Sequence, residues 1–137
     1  MRTRAWVLVC VVTAAAAVMS GCVFCGKIIA LAEQDDGTTV QARVHDRIVL
    51  RLAANPTTGF NWVITEGGSP VIEQVGEMVY EPDTAPPGTA GVGGTDVWKF
   101  DAETPGTATL SLEYRQPFAP DTEPPAETFT VTIVVGG

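Results

Sequence analysis

The sequence predicts an all-β domain built as a sandwich of two sheets, and three observations lead to this fold class. Short runs of alternating apolar and polar residues recur along the chain after residue 36, as expected for strands with one buried face. Clusters of glycine, proline and asparagine separate these runs at the spacing typical of sandwiches. No segment after residue 36 repeats apolar residues at a helical period over the length of a helix.

About seven strands are predicted, each from a run rich in β-forming residues. In the second run, Ile48, Leu50 and Leu52 fall on one face, which indicates a strand with one side in the core. Trp62 is the candidate for the aromatic centre of that core. Gly76 interrupts the fourth run and predicts a bulge or bend there. The predicted strands are residues 38–44, 47–52, 60–65, 71–80, 94–102, 107–114 and 128–135.

The N-terminus has the features of a targeting segment. Arg2 and Arg4 precede an apolar stretch over residues 5–18, which is too short to span a bilayer and is typical of a secretory signal. Met19-Ser20-Gly21-Cys22 resembles the bacterial lipobox, which implies cleavage before Cys22 and attachment of lipid to that cysteine. The alternative is an ordinary secretory signal that is cleaved nearby.

This interpretation divides the chain into three parts. Residues 1–21 are expected to be the signal peptide, residues 22–36 the lipidated N-terminus and tether, and residues 37–137 the folded domain. We expect the protein in the bacterial cell envelope, periplasmic or on the outer surface, with the lipid as its only membrane attachment.

Charge and cysteine content restrict the function further. Loss of Arg2 and Arg4 with the signal changes the formal net charge from −8 to −10, which disfavours nucleic acid as a partner and favours a soluble monomer. Cys10 leaves with the signal and Cys22 carries lipid, so Cys25 has no cysteine to pair with in the mature form. The Cys22–Cys25 spacing lacks a second ligand pair, so neither a metal site nor a cofactor is predicted.

The sequence shows no pattern of residues that is typical of a catalytic site. The single histidine, His45, falls in a predicted turn beside Asp46, where a solvated polar residue is ordinary. We find neither a Ser–His–Asp spacing nor a glycine-rich loop that opens a helix. The chain is therefore not expected to be an enzyme.

Residues 55–60 stand out as a stiff turn between two predicted strands. Pro56 fixes its own φ and restricts Asn55, and Gly59 allows a positive φ. Thr57 and Thr58 are stiff at χ1 and are expected to carry their hydroxyls outward. A narrow, small-residue projection of this kind is suited to insertion into the cleft of another protein.

Three segments of the chain, taken in order, share features with a known group of loops. The segments are Asn55-Pro56-Thr57-Thr58-Gly59-Phe60, then Gly91-Val92-Gly93-Gly94-Thr95 with the strand Val97-Trp98-Lys99-Phe100, and finally Tyr114-Arg115-Gln116-Pro117-Phe118. Together they resemble the signature loops of the chagasin-like inhibitors of papain-type cysteine peptidases. The similarity covers roughly residues 37–135.

This resemblance implies an immunoglobulin-like β-sandwich whose three loops form a wedge at one end. Thr57, Thr58 and Gly59 would approach the catalytic centre of the peptidase. The backbone of residues 91–94 would be free to pair with extended backbone of the partner. Phe118 would be the buried aromatic anchor.

The third segment departs from the family, which usually has Arg-Pro-Trp there. An alignment without a gap places Gln116 where the family has arginine and Phe118 where it has tryptophan. Either Arg115 or Gln116 would then supply polar contacts at the rim, and an insertion is needed to make Arg115 the functional arginine.

Two functions follow from these observations. The favoured one is a reversible protein inhibitor of papain-type cysteine peptidases, which inserts three loops into the active-site cleft. The alternative is a lipid-anchored envelope or adhesion module that binds a protein or glycan, because sandwiches host many functions.

Overall fold

The computed structural model describes residues 26–137, which fold into nine strands and two short 3₁₀ turns. The predicted signal peptide, Cys22 and the other two cysteines lie outside the described residues. Within residues 26–137, no helix is long and apolar enough to cross a membrane. The strands are β1 (Ile28–Leu31), β2 (Thr39–Arg43), β3 (Arg47–Ala54), β4 (Asn61–Gly67), β5 (Ile72–Gln74), β6 (Val79–Pro82), β7 (Gly94–Ala102), β8 (Gly106–Arg115) and β9 (Glu127–Gly136); the 3₁₀ turns are Glu33–Asp35 and Pro56–Thr58.

The strands form two sheets that enclose one core, as the sequence predicts. In the first sheet the order is β1-β3-β7, and β5 and β6 both pair with the free side of β7. The second sheet has the order β2-β9-β8-β4. All pairs are antiparallel except β1 with β3 and β2 with β9.

Strict alternation of side chains places the core between the sheets. In β9 the four inward residues are almost fully buried, and the same holds for the predicted inward face of β3. The polar residues between them face outward because successive side chains of a strand point to opposite sides. Trp62 is buried in the same core, at 7% exposure.

The structure has nine strands, and not about seven as the sequence predicts. The run at residues 71–80 is two strands, β5 and β6, because the chain bends between them at Gly76, where φ is +70°. The predicted break at Gly76 is therefore confirmed. The other additional strand is β1, which lies in the segment expected to be a tether.

The prediction that residues 22–36 form a tether is wrong for their second half. Ile29 and Leu31 are buried in the core, at 9% and 3% exposure, because β1 pairs in parallel with β3. The backbone N–H of Lys27 donates to Asp46 Oδ1 at 2.8 Å, which fixes the start of β1. Only two side chains of this short strand face the core, so its alternation is too short to predict a strand from the sequence.

We predict that Leu31→Ala lowers the free energy of unfolding by about 2–4 kcal/mol, because it removes a buried side chain and leaves a cavity. Chemical denaturation of a soluble fragment, residues 26–137, measures this. Ile28→Ala is the matched control, since Ile28 lies in the same strand with 67% exposure and should change stability by less than about 0.5 kcal/mol. Equal, small effects of both substitutions would show that β1 is dispensable.

Candidate functional site

Three loops emerge from one end of the sandwich. The first loop (residues 55–60) joins β3 to β4, the second loop (83–93) joins β6 to β7, and the third loop (116–126) joins β8 to β9. Register places their ends together: Ala54 is opposite Gly94 in one sheet, and Asn61 is opposite Arg115 in the other. The structure thus brings the three predicted segments side by side.

The first loop is a 3₁₀ turn with caps at both ends. Asn55 precedes the turn, and its Oδ1 accepts from the backbone N–H of Thr57 at 3.2 Å. Pro56 occupies the first position of the turn, where a missing N–H does no harm. Gly59 ends it with φ +77°, a left-handed conformation that glycine adopts at little cost. The stiff turn predicted from the sequence has this local explanation.

The hydroxyls of this turn do not point outward, contrary to the prediction. Thr57 Oγ1 donates to Asn55 Oδ1 at 2.5 Å, and Thr58 Oγ1 donates to the Asn55 carbonyl oxygen at 2.7 Å. Both acceptors lie within reach because the turn curls back over Asn55. Pro56 and Gly59 are exposed with the two threonines, so the tip offers its surface to a partner while its hydroxyl protons stay within the turn.

The second segment is only partly a loop. Gly94 and Thr95 belong to β7, and Gly94 is buried between Ala54 of β3 and Pro82 of β6. The expectation that the backbone through Gly94 is free to pair with a partner is therefore wrong at this residue. The carbonyl oxygen of Gly93 is also engaged, because it accepts from the Asp83 N–H at 3.0 Å.

Steric crowding explains the glycine at position 94. A Cβ atom there would lie 2.6 Å from Tyr80 Oη and 2.4 Å from the carbonyl oxygen of Glu81, distances that real Cβ atoms do not show. Gly91, by contrast, is exposed in the second loop with φ +72°. Its carbonyl oxygen accepts from Asn55 Nδ2 at 3.3 Å.

The third loop presents an aromatic side chain and a polar one. Phe118 is 99% exposed, and Gln116 and Pro117 are exposed beside it. Arg115 is the last residue of β8, and its Nη1 lies 3.2 Å from Glu113 Oε2. Gln116 is therefore the more exposed of the two candidates for polar contacts at the rim.

An open groove of about 520 Å³ lies between the loops. Tyr114 lines this groove, and its side chain connects β8 to the first loop. The sequence predicts no such role for Tyr114. Its Oη accepts from the backbone N–H of Asn55 at 3.0 Å. The other residues around the groove include Ala54, Thr58, Gly93 and Ala126. The three loops are thus one surface with internal connections.

Comparison with known proteins identifies the family. Residues 41–133 match the sequence profile described as "Chagasin family peptidase inhibitor I42". The chain belongs to the chagasin family. It is 32% identical to amoebiasin-1 of Entamoeba histolytica, over 78% of this chain and 99% of that protein. It is 31% identical to chagasin of Trypanosoma cruzi, over 70% of this chain and 87% of that protein.

The fold also matches that of a solved protease inhibitor. The crystal structure of a cysteine protease inhibitor from Entamoeba histolytica superimposes with a TM-score of 0.71 at 24% identity, covering 80% of this chain and 96% of that one. The predicted β-sandwich is confirmed. Members of the family are peptidase inhibitors, so the prediction that the chain is not an enzyme is also confirmed.

One ionisable side chain near the loops is buried. Asp96 follows Gly94 by two residues in β7 and is 4% exposed, on the face that otherwise carries apolar side chains. Burial raises the pKa of Asp96 above its ordinary value, because a charged carboxylate loses its hydration there. Among residues 26–137, no group of three or more histidine, cysteine and carboxylate side chains is placed to hold a metal ion.

We predict that Asp96→Asn raises the midpoint of thermal unfolding at neutral pH. A raised pKa in the folded state means that the ionised carboxylate favours unfolding at every pH above that pKa. The gain should shrink as the pH falls through the pKa of Asp96, where the aspartate becomes neutral as well. Thermal melts across the acidic range test this, with the exposed Glu103→Gln as control; a gain that is independent of pH would contradict the assignment.

Proposed function

We propose that this domain is a reversible, monomeric inhibitor of papain-type cysteine peptidases that inserts its three loops into the active-site cleft. Membership of the chagasin family supports inhibition of a peptidase. The observation that carries the mode of binding is the connection of the loops at one end of the sandwich. Asn55 connects the loops directly, because it is hydrogen-bonded to Gly91 on one side and to Tyr114 on the other.

The first loop fits a cleft without being a good substrate. A peptidase thiolate attacks a carbonyl carbon that is held in a defined orientation. In this turn the carbonyl oxygens of Asn55 and Pro56 accept from the N–H groups of Thr58 and Gly59, each at 3.1 Å. They are held inside a closed turn, so the backbone is not available in the extended form that a groove-binding peptidase positions for attack.

Phe118 is the strongest candidate for an anchor. At 99% exposure, its ring gains burial only from a partner, and aromatic residues that become fully desolvated dominate many interfaces. Gln116 lies beside it and is free to make rim contacts. An interface of standard size, about 1,600 Å², requires contributions from all three loops and not from one alone.

We predict that the fragment of residues 26–137 inhibits papain competitively and that Thr58→Ala combined with Phe118→Ala weakens the inhibition. The loss should be at least about 30-fold, since one hot-spot residue contributes about 2 kcal/mol or more. Steady-state inhibition at several substrate concentrations measures it. Size-exclusion chromatography of the same sample tests whether the domain is a monomer.

The matched control combines Thr65→Ala with Ile28→Ala. Thr65 also donates its hydroxyl to a backbone carbonyl, that of Ser111 at 3.2 Å, and Ile28 is an exposed apolar residue. Neither is in the three loops, so the inhibition constant should not change. A folded wild-type domain that leaves papain and related peptidases active at micromolar concentration would contradict the proposed function.

We also propose that lipid on Cys22 holds the domain at the bacterial envelope. The position of β1 supports an orientation in which the three loops point away from the anchor. Lys27 lies beside the turn at Asp46, where β3 begins, whereas the first loop follows the other end of β3. Four residues separate Cys22 from Lys27, a reach of about 17 Å at most. The loops would then face away from the lipid.

We predict that Cys22→Ser transfers the full-length protein from the membrane fraction to the soluble fraction of a bacterial host that processes lipoproteins. Lipid attached to this residue supplies the membrane affinity, so its loss removes the attachment. Cys25→Ser is the matched control and should leave the protein with the membrane. Fractionation and immunoblotting measure both; a Cys22→Ser variant that stays with the membrane would contradict lipidation.

A further inference from the structure

Asn55 lies where the three loops meet, and its half-buried side chain is bonded to other residues of the loops. Its Oδ1 accepts from the N–H and the hydroxyl of Thr57, and its Nδ2 donates to the carbonyl oxygen of Gly91. With these bonds both polar atoms of the amide are engaged within the chain. Asn55 therefore acts on the shape of the loops, although the family resemblance suggests that it contacts the peptidase.

Tyr114 holds Asn55 from the other side. The phenolic oxygen accepts from the backbone N–H of Asn55 at 3.0 Å. This N–H lies just beyond the last residue of β3, where the sheet no longer supplies an acceptor. A buried or half-buried N–H without an acceptor is unfavourable, so the hydroxyl fixes the point at which the first loop leaves the sheet.

The ring of Tyr114 is itself held in place. Its centroid lies 5.1 Å from that of Trp62 and 5.6 Å from that of Phe60, distances at which aromatic pairs attract. Trp62 is anchored in turn, because its Nε1 donates to the carbonyl oxygen of Ala53 at 2.9 Å. The phenolic oxygen therefore has little freedom to follow Asn55 if the first loop moves.

Tyr114 also reaches the third loop through its backbone. Its carbonyl oxygen accepts from the N–H of Ala126 at 2.9 Å, which closes the third loop just before β9 begins. One residue thus touches the base of the third loop with its main chain and the first loop with its side chain. Asn55 extends the connection to the second loop.

We propose that Tyr114, acting through Asn55, is a positioning residue for inhibition. It sets the relative placement of the three loops in the free protein, and it does so without touching the peptidase. Loops that are already placed lose less freedom on docking, which strengthens binding. This inference rests on the proposed function.

Tyr114→Phe tests the inference because it removes only the phenolic oxygen and keeps the ring. In the domain of residues 26–137, it should raise the inhibition constant for papain about tenfold. Hydrogen exchange at the amides of Asn55, Thr57, Thr58 and Gly59 should become faster. A thermal melt confirms that the variant is folded at the assay temperature, so that a loss of inhibition is not a loss of folded protein.

Tyr80→Phe is the matched control, since the chain has only two tyrosines. Tyr80 lies against Gly94 at the base of the second loop, and within the described residues its hydroxyl has no hydrogen-bond acceptor or donor. This variant should inhibit like the wild type. Asn55→Ala is the second test variant, and it should weaken inhibition as Tyr114→Phe does.

A double-mutant cycle separates positioning from a general loss of stability. Tyr114→Phe and Thr58→Ala should be less than additive in their effect on the inhibition constant, because both act on the first loop. Tyr114→Phe and Ile28→Ala should be additive. A folded Tyr114→Phe variant that inhibits within twofold of the wild type, or no more weakly than Tyr80→Phe, would overturn the positioning role. A wild-type domain without inhibitory activity would instead overturn the proposed function, and the positioning role with it.

Discussion

Of the three loops, only the first crosses from one sheet to the other, and this crossing places it beside both of the other loops. β3 belongs to one sheet and β4 to the other, so residues 55–60 must bridge the end of the sandwich. The second loop joins two strands of the first sheet, and the third loop joins two strands of the second sheet. The first loop therefore lies between its two neighbours, and Asn55 can bond to Gly91 and to Tyr114 at once. The continuous surface is a result of topology.

Internal hydrogen bonds determine which polar groups this surface can offer to a partner. Because both threonine hydroxyls of the first loop donate to Asn55, the tip has few free donors to offer a partner. In the proposed mode of inhibition, binding would then depend on shape, on backbone contacts and on burial of Phe118. A surface of this kind suits a groove that many related peptidases share, since shape and apolar area discriminate less between partners than buried polar pairs do.

The sequence predicts the core better than it predicts the surface, for physical reasons. Strands such as β9 and β3 repeat an apolar residue at every second position, and this local pattern decides which face is buried. β1 has only two inward residues, and its place is decided by a parallel partner that is distant in sequence. The crowding at Gly94 comes from Tyr80 in another strand. The direction of the threonine hydroxyls depends on the turn type, which the residue types alone did not settle.

Arg115 shows how one local ion pair changes what the third loop presents. Glu113 and Arg115 are two residues apart on the same face of β8, and the guanidinium lies against that carboxylate. The three loops (residues 55–60, 83–93 and 116–126) contain no lysine or arginine. They carry three carboxylates, those of Asp83, Asp121 and Glu123. If the loops enter a cleft as proposed, their negative charge would speed association with a positively charged rim and slow association with a negative one. In the proposed complex, Phe118 would supply contact area that is indifferent to charge, so the carboxylates would act mainly on the association rate and the aromatic ring mainly on the dissociation rate.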